Sequence, residues 1–168
     1  MTEAIKYFRK GADAGNADCQ TSMGLLYQAG EKIPGGVKAD PAEAVKWYRL
    51  AAEQNHTEAI QHLGMMYAMG MGVKQDDAEA VKWFRKGSDL GNSDARWGLG
   101  QCYFDGRGVQ KDPVQAYALY SEAIDGTENP EQKQGMSAQR DKLGKDLSAD
   151  QLKNAQALIQ EWKTKGGK

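Results

Sequence analysis

Apolar residues along the chain recur with the spacing of one helix face. In residues 55–69 they occupy positions i, i+4, i+7 and i+8, which form a single stripe on a helix with 3.6 residues per turn. These positions are held by Ala59, Leu63, Met66 and Tyr67. A second stripe follows in residues 76–90, and no segment alternates apolar and polar residues as a β-strand does. The pattern therefore predicts helices joined by short turns.

Two landmarks recur at a fixed offset and reveal an internal repeat. The first is a motif of the form Ala–Ile/Val–Lys–aromatic–aromatic–Arg. It begins at Ala4, Ala44 and Ala80, with a degenerate copy at Ala116. The second is a glycine 20 residues later, found at Gly24, Gly64 and Gly100. The period is 36 residues except for a first interval of 40, whose four extra residues lie in the loop 30–36. An insertion confined to one loop is typical of a helical repeat array.

The repeat predicts an incomplete first unit and three pairs of helices, each with a helix A followed by a helix B. The first unit is a B helix in residues 3–14, and the pairs span residues 16–53, 56–89 and 92–125. Asp-Pro dipeptides open two B helices, because aspartate is a good N-cap and proline suits the first helical position. Helix pairs with such short connections stack into a solenoid.

The landmark glycines lie in the middle of the A helices. Glycine at such a position costs about 1 kcal/mol relative to alanine. We therefore expect a compensating contact at Gly64 and Gly100, where a neighbouring helix approaches closely. The spacing that recurs from repeat to repeat suggests that Trp47 or Trp83 of a B helix packs there.

The charged residues nearly balance, with 22 Lys and Arg against 23 Asp and Glu and a net charge of −1. This balance argues against a nucleic-acid binder that depends on neutralising phosphates. No apolar run approaches the roughly 18 residues of a membrane-spanning helix, and residues 1–10 lack the pattern of a secretory signal. We expect a soluble protein that is cytoplasmic as given, or periplasmic where a signal peptide has been removed.

Four sequence runs carry a resemblance to a known family. They are residues 51–59 (AAEQNHTEA), 63–67 (LGMMY), 70–73 (GMGV) and 78–84 (AEAVKWF). Together with the landmarks above, they strongly resemble the Sel1-like repeat (SLR) family, which is related to tetratricopeptide repeats. The resemblance implies an all-α fold, a right-handed α/α superhelical solenoid over residues 1–127. It also implies a capping helical hairpin over residues 128–168, as in bacterial members. Ser148 and Gln151 form a capping box for the last helix.

The resemblance implies a non-enzymatic module that binds one or more partner proteins. Members act as adaptors or scaffolds in signalling, envelope assembly and host interaction, and some are immunity proteins that bind a secreted toxin. An alternative is an enzyme or ligand binder, because one cysteine-rich branch of the family is associated with β-lactam binding. The paired-cysteine spacing of that branch is absent here, since Cys19 and Cys102 stand two repeats apart.

The residues that bear chemistry do not form a catalytic or metal-binding pattern. His56 and His62 are six residues apart, whereas a metal-binding pair on one helix face needs a spacing of three or four. Cys19 and Cys102 are too far apart along the solenoid for a disulfide, which predicts free thiols. No set of nucleophile, base and acid stands out. We predict no catalytic residues, no metal and no cofactor.

In solenoids of this family the A helices line the concave side. The exposed row of these helices, with its flanking residues, is therefore the candidate surface for binding a partner. The candidate residues are Gln20, Thr21, Leu25, Ile60, Gln61, Met65, Arg96, Trp97 and Gln101. Trp, Arg and Met among polar groups are a composition typical of interfaces. The alternative for Trp97 is packing against a neighbouring helix.

The first helix carries more apolar residues than one neighbouring A helix should cover. These residues are Ile5, Tyr7 and Phe8. The first helix of a solenoid usually has a polar outer face. The excess predicts that this end self-associates or docks a segment absent from the chain.

Overall fold

In the computed structural model, the described residues are 3–32 and 36–166, and the regular elements in them are helical. The α-helices are α1 (Glu3–Asp13), α2 (Ala17–Ala29), α3 (Pro41–Glu53), α4 (Thr57–Met69), α5 (Asp77–Asp89), α6 (Ser93–Asp105), α7 (Pro113–Asp125), α8 (Pro130–Lys145) and α9 (Ala149–Gly166). A 3-10 turn, Gly30–Lys32, follows α2. The middle of the insertion loop, residues 33–35, lies outside the described residues.

The predicted helices form within one or two residues of their predicted ends because their caps are encoded locally. Each B helix after α1 starts at an aspartate whose carboxylate accepts a backbone N–H of the first turn. These caps are Asp40, Asp76 and Asp112. The A helices α2, α4 and α6 start at Asn16, His56 and Asn92, whose side chains accept in the same way. The N-cap predictions for Asp40 and Asp112 are confirmed.

Consecutive helices pack against each other from α1 to α7, and the A helices α2, α4 and α6 also neighbour one another. This arrangement is the expected all-α solenoid. The core continues from one pair to the next, as in the cluster formed by Tyr48 of α3 with Ile60, Leu63 and Met66 of α4. No helix in residues 3–32 and 36–166 is long and apolar enough to cross a membrane.

Each landmark glycine of an A helix does accommodate an aromatic ring, but the ring is not that of a tryptophan. A methyl group at Gly64 would come within 2.6 Å of the Phe84 ring. Gly24 and Gly100 bear the same relation to Tyr48 and Tyr120. The prediction of Trp47 or Trp83 was wrong by one residue, which on a helix is a rotation of about 100°.

The tryptophan of the motif faces a different neighbour. Trp47 is buried in a cluster with Ile5 from the preceding unit and with Met23 and Leu26 from the A helix of its own unit. The two adjacent aromatic residues of α3 therefore have separate contacts. Trp47 packs on side chains of α1 and α2, and Tyr48 packs on Gly24 of α2.

The N-terminal helix is better covered than its sequence suggests. Ile5 is only 3% exposed, since Met23, Leu26 and Trp47 surround it. Phe8 packs against the same cluster and is half-buried, whereas Tyr7 is 71% exposed. The expectation that Ile5 lacks cover was wrong, because the next B helix also reaches this cluster through Trp47. Self-association through α1 stays a prediction.

The last two helices both pack against α7 and, among the described residues, hardly touch each other. The capping box of α9 is confirmed: the Ser148 amide donates to the Gln151 side chain, and the Gln151 amide donates to the Ser148 hydroxyl. Near its end, α9 brings Trp162 against the cluster that contains Leu99 and Leu119. The α8 helix lies on the side of the A helices, and α9 lies on the other side of α7.

Candidate functional site

A groove of about 630 Å³ opens between α4, α6 and α8. We call it the A-helix groove. The α6 and α8 helices approach each other less closely than α4 and α6 do, which leaves the space between them open. The lining residues are Gln61, Met65, Ala68, Met69, Phe84, Asp94, Trp97, Gly98, Gln101, Cys102, Asp105, Arg107, Gln132, Gly135, Met136 and Gln139.

The floor of the A-helix groove is apolar and centres on Trp97. The indole stacks on the ring of Tyr120 with 4.1 Å between ring centroids and an angle of 30° between planes. The indole is half-buried, so one part packs on the core and another part lines the groove. Trp97 therefore packs against a neighbouring helix, as one alternative held, and contact with a partner stays a prediction. Met65 and Met136 extend the apolar floor on either side.

The rim of the A-helix groove carries four glutamine amides, from Gln61, Gln101, Gln132 and Gln139. The amide of Gln132 donates to the Asp94 carboxylate at 2.6 Å and so ties α8 to α6. The Gln101 side chain is exposed and hydrogen-bonds to no other described residue. An amide both donates and accepts, so this rim can pair with peptide groups of a bound chain.

One arginine on the rim is already satisfied by the protein itself. Arg107 donates to the carbonyl of Ala68 at 2.6 Å and to the carboxylate of Asp77 at 2.7 Å. The guanidinium holds the pKa of the Asp77 carboxyl below its ordinary value, chiefly through this hydrogen bond. These contacts link the loop after α6 to α4 and α5, and they neutralise the arginine. Asp94 and Asp105 are the carboxylates that remain on the rim.

Four of the nine candidate residues line the A-helix groove. They are Gln61, Met65, Trp97 and Gln101, on α4 and α6. These four come from two successive repeats at equivalent register positions. Their placement makes them the part of the candidate row that we carry into the proposal below.

Three candidate residues are buried and hold the solenoid together. Gln20 is 4% exposed and donates to the carbonyl of Ala12. Thr21 is 2% exposed and bonds to the ring of His56 at 3.0 Å. Ile60 is completely buried. Because buried side chains cannot meet a partner on the surface, we leave these three out of the proposed site.

The remaining two candidates face neighbouring helices. Leu25 is half-buried and packs against the core around Tyr48. Arg96 points away from the A-helix groove and donates to the carbonyl of Ser88 at 3.0 Å. Arg96 directly precedes Trp97, and adjacent residues of a helix point in different directions. The Arg96 side chain therefore faces α5 and α7. We leave both out of the site as well.

The sequence analysis missed the contribution of α8. This helix lacks the repeat landmarks, yet it supplies a wall of the groove through Gln132, Gly135, Met136 and Gln139. One signal could have found it. Asn129 is an N-cap like Asn92 and stands 37 residues after it, one residue more than the repeat period, so α8 begins close to where a further A helix would.

The histidines and cysteines have structural surroundings. His56 caps α4 and also bonds to Asp18 at 2.9 Å, and His62 stacks on the Tyr48 ring at 4.9 Å. Within residues 3–32 and 36–166, no three His, Cys, Asp or Glu side chains form a group that could hold a metal ion. Cys19 and Cys102 are free thiols, and burial raises the pKa of Cys102 to about 11. A protonated thiol is a weak nucleophile.

Comparison with known structures agrees with this architecture. The structure of a Sel1 repeat protein from Oxalobacter formigenes is 35% identical, with a TM-score of 0.65, over 73% of this chain and 49% of that chain. The structure of c5321, a protective antigen present in uropathogenic Escherichia coli strains that displays an SLR fold, is 28% identical, with a TM-score of 0.69. It aligns with 95% of this chain and 40% of its own. The chain thus spans half the length or less of these relatives. No curated protein matches it.

A family model agrees with the repeat units in register. The model described as Sel1 repeat matches residues 1–16, 17–56, 57–92 and 93–127, and each of the last three matches begins at the first residue of an A helix. Sel1 repeats generally mediate protein–protein interaction and are generally not catalytic. The four matches cover most of the chain, which therefore belongs to the Sel1 repeat family.

Proposed function

We propose that this chain is a protein-binding module, an adaptor or an immunity-type inhibitor, that takes a segment of its partner into the A-helix groove. The observation that carries the proposal is the composition of the groove. An apolar floor around Trp97 is bordered by amides and carboxylates, as in the centre and rim of a protein interface. The partner is a protein; neither a cofactor nor a metal takes part.

The location on the A-helix side follows from exposure. Met69 on α4 is 63% exposed, and Gln101 on α6 is exposed beside the half-buried Trp97. An exposed apolar group next to the unpaired Gln101 amide lets a partner gain by burial and by hydrogen bonding at once. On the opposite side of α6, Arg96 and Leu99 lie in a second groove that the α9 residue Trp162 partly fills. The A-helix groove has no such internal occupant among the described residues.

Gly135 offers a way to block the groove without disturbing the fold. It lies in the middle of α8 on the groove wall, and a Cβ added there meets no atom within 4 Å. Gly135→Phe therefore places a ring into the groove and suits the helix better than glycine does. Gln134→Phe is the matched control, because Gln134 is exposed on the same helix and outside the groove lining.

The test is quantitative affinity capture from cells that contain the natural partners, with all three chains verified as folded. We expect Gly135→Phe to lose partners that the native chain and Gln134→Phe both retain. If all three chains capture the partners equally, the A-helix groove does not bind them and the proposal is wrong. One partner bound tightly at a fixed stoichiometry favours an immunity protein, and several partners bound weakly favour a scaffold.

A further inference from the structure

We propose that the A-helix groove selects an extended peptide segment that places a lysine or arginine against Asp105 and an apolar side chain against Trp97. This inference rests on the proposed function and specifies the chemistry of the partner segment. It is carried by the charge of the unpaired carboxylate on the rim, by the free amide of Gln101 and by the width of the groove.

Asp105 is an exposed carboxylate without a direct partner. It is the last residue of α6, where the carbonyl groups of the final turn add partial negative charge. The last turn of α6 contains no basic residue. Asp105 makes no hydrogen bond or ion pair with another described residue. Negative potential therefore accumulates at this end of the groove.

The cations near Asp105 do not cancel this potential, since Lys111 holds its ammonium over the ring of Phe104 and Arg107 is bound elsewhere. The Arg107 guanidinium feels the charge of Asp105, but its hydrogen bonds go to the carboxylate of Asp77 and the carbonyl of Ala68. Asp94, at the other end of α6, is stabilised by the helix N-terminus and by the amide of Gln132. The rim thus offers an incoming chain one unpaired carboxylate, and apolar walls strengthen its attraction for a cation.

The amides favour an extended chain over a helix. A helix has already paired its backbone groups internally, whereas an extended segment has free N–H and C=O groups to offer. The exposed Gln101 amide can bind such groups from the rim of the groove. Two steps between closely packed helices would span about 16–20 Å, which is a lower bound for the distance from α4 to α8 because α6 and α8 are farther apart. At least about five or six extended residues cross that distance.

The test begins with selection from a displayed library of random hexapeptides against the full chain. The strongest enriched peptide is then synthesised, and its affinity is measured by fluorescence anisotropy. We expect enriched peptides to combine Lys or Arg with an aromatic or aliphatic residue. Asp105→Asn should weaken the binding about two- to fivefold, as expected for a partly exposed ion pair. Higher salt should weaken it too.

Matched controls separate the charge at Asp105 from general charge effects. Asp89→Asn makes the same change at the last residue of α5, which is also exposed but lies outside the A-helix groove. It should leave the affinity unchanged. Asp105→Lys should shift a fresh selection toward peptides with Asp or Glu.

The possible failures are distinguishable. If Gly135→Phe abolishes peptide binding but the enriched peptides are acidic or neutral, the cation preference is overturned and the groove function stands. The same conclusion follows if Gly135→Phe abolishes peptide binding but Asp105→Asn binds the peptide as well as the native chain does. A library that yields no peptide sensitive to Gly135→Phe overturns the groove function itself.

Discussion

The ring of Phe84 lies directly on the backbone of Gly64. A methyl group added to Gly64 would meet ring carbons at 2.6 and 2.7 Å, and one added to Gly98 of the next A helix would meet the same ring at 2.9 Å. One aromatic ring thus sets the separation between α4 and α6, two helices that both line the A-helix groove. The close contact with an aromatic ring explains why glycines stand in the middle of these helices, although glycine weakens a helix.

Gly64→Ala tests this contact. Alanine favours the helix by about 1 kcal/mol, but the methyl group forces the Phe84 ring to move, and overpacking of a core typically costs about 1–3 kcal/mol. We expect a net loss of up to about 2 kcal/mol in the free energy of unfolding, measured by urea denaturation. Gly135→Ala is the control, since its Cβ meets open space, and it should stabilise by up to about 1 kcal/mol. Equal stabilisation by both substitutions would show that Phe84 does not constrain Gly64.

His62 makes the stability depend on pH. Its ring stacks on Tyr48, its Nδ1 atom is buried without a hydrogen bond, and burial lowers its pKa despite the nearby carboxylates of Glu58 and Asp94. The unfolded chain therefore takes up a proton near pH ~6.5, before the folded chain does. Stability should fall as the pH drops from there through the lowered pKa of the folded state.

His62→Phe isolates this effect, because it keeps the stacked ring and removes the titration. Urea denaturation is measured at pH values of about 7.5, 6.5 and 5.5, which bracket the ordinary histidine pKa. The free energy of unfolding should decline less for this variant than for the native chain. The same decline in both proteins would assign the pH dependence to other groups.

The contact between Arg107 and Asp77 should stabilise the junction of two repeats. Arg107→Gln is expected to cost about 0.5–1 kcal/mol, as a partly exposed ion pair does. A double-mutant cycle with Asp77→Asn measures the coupling directly. Lys82→Gln serves as the control, because Lys82 pairs with Glu79 within a single helix and is exposed. A coupling energy of zero would contradict the proposed link between the loop and α5.

The pair of Arg107 and Asp77 also makes the stability of the protein depend on pH in the acidic range. Since the folded pKa of Asp77 is lowered, its contribution is fully present above the unfolded pKa of ~3.9 and is lost as the pH falls through the folded value. Arg107→Gln should therefore lose less stability than the native chain between pH ~5 and pH ~2. Parallel acid-unfolding curves for the two proteins would argue against this role.

Self-association through α1 now depends on Tyr7, the apolar side chain of this helix that remains largely exposed. Sedimentation of the chain at several concentrations, compared with Tyr7→Lys, tests it. We expect any concentration-dependent association of the native chain to weaken in the variant. Association of equal strength in both would place the contact elsewhere.

Helix number and helix ends could be predicted from the sequence because their causes are local. The aspartates at the B-helix starts and the box of Ser148 and Gln151 act within one turn, and all of them cap the helices that the pattern predicted. The period of 36 residues likewise requires only that equivalent residues take equivalent positions. The family could be identified for the same reason.

The binding surface depended on contacts between distant parts of the chain. Periodicity could not decide that Phe84 rather than Trp83 seats on Gly64, because a rotation of one residue keeps the same repeat. It could not show that Gln20 and Thr21 are used in bonds to Ala12 and His56. The second wall of the A-helix groove comes from α8, whose sequence lacks the landmarks. Burial of a side chain and the width of a groove arise from how whole helices pack, so only the tertiary structure determines them.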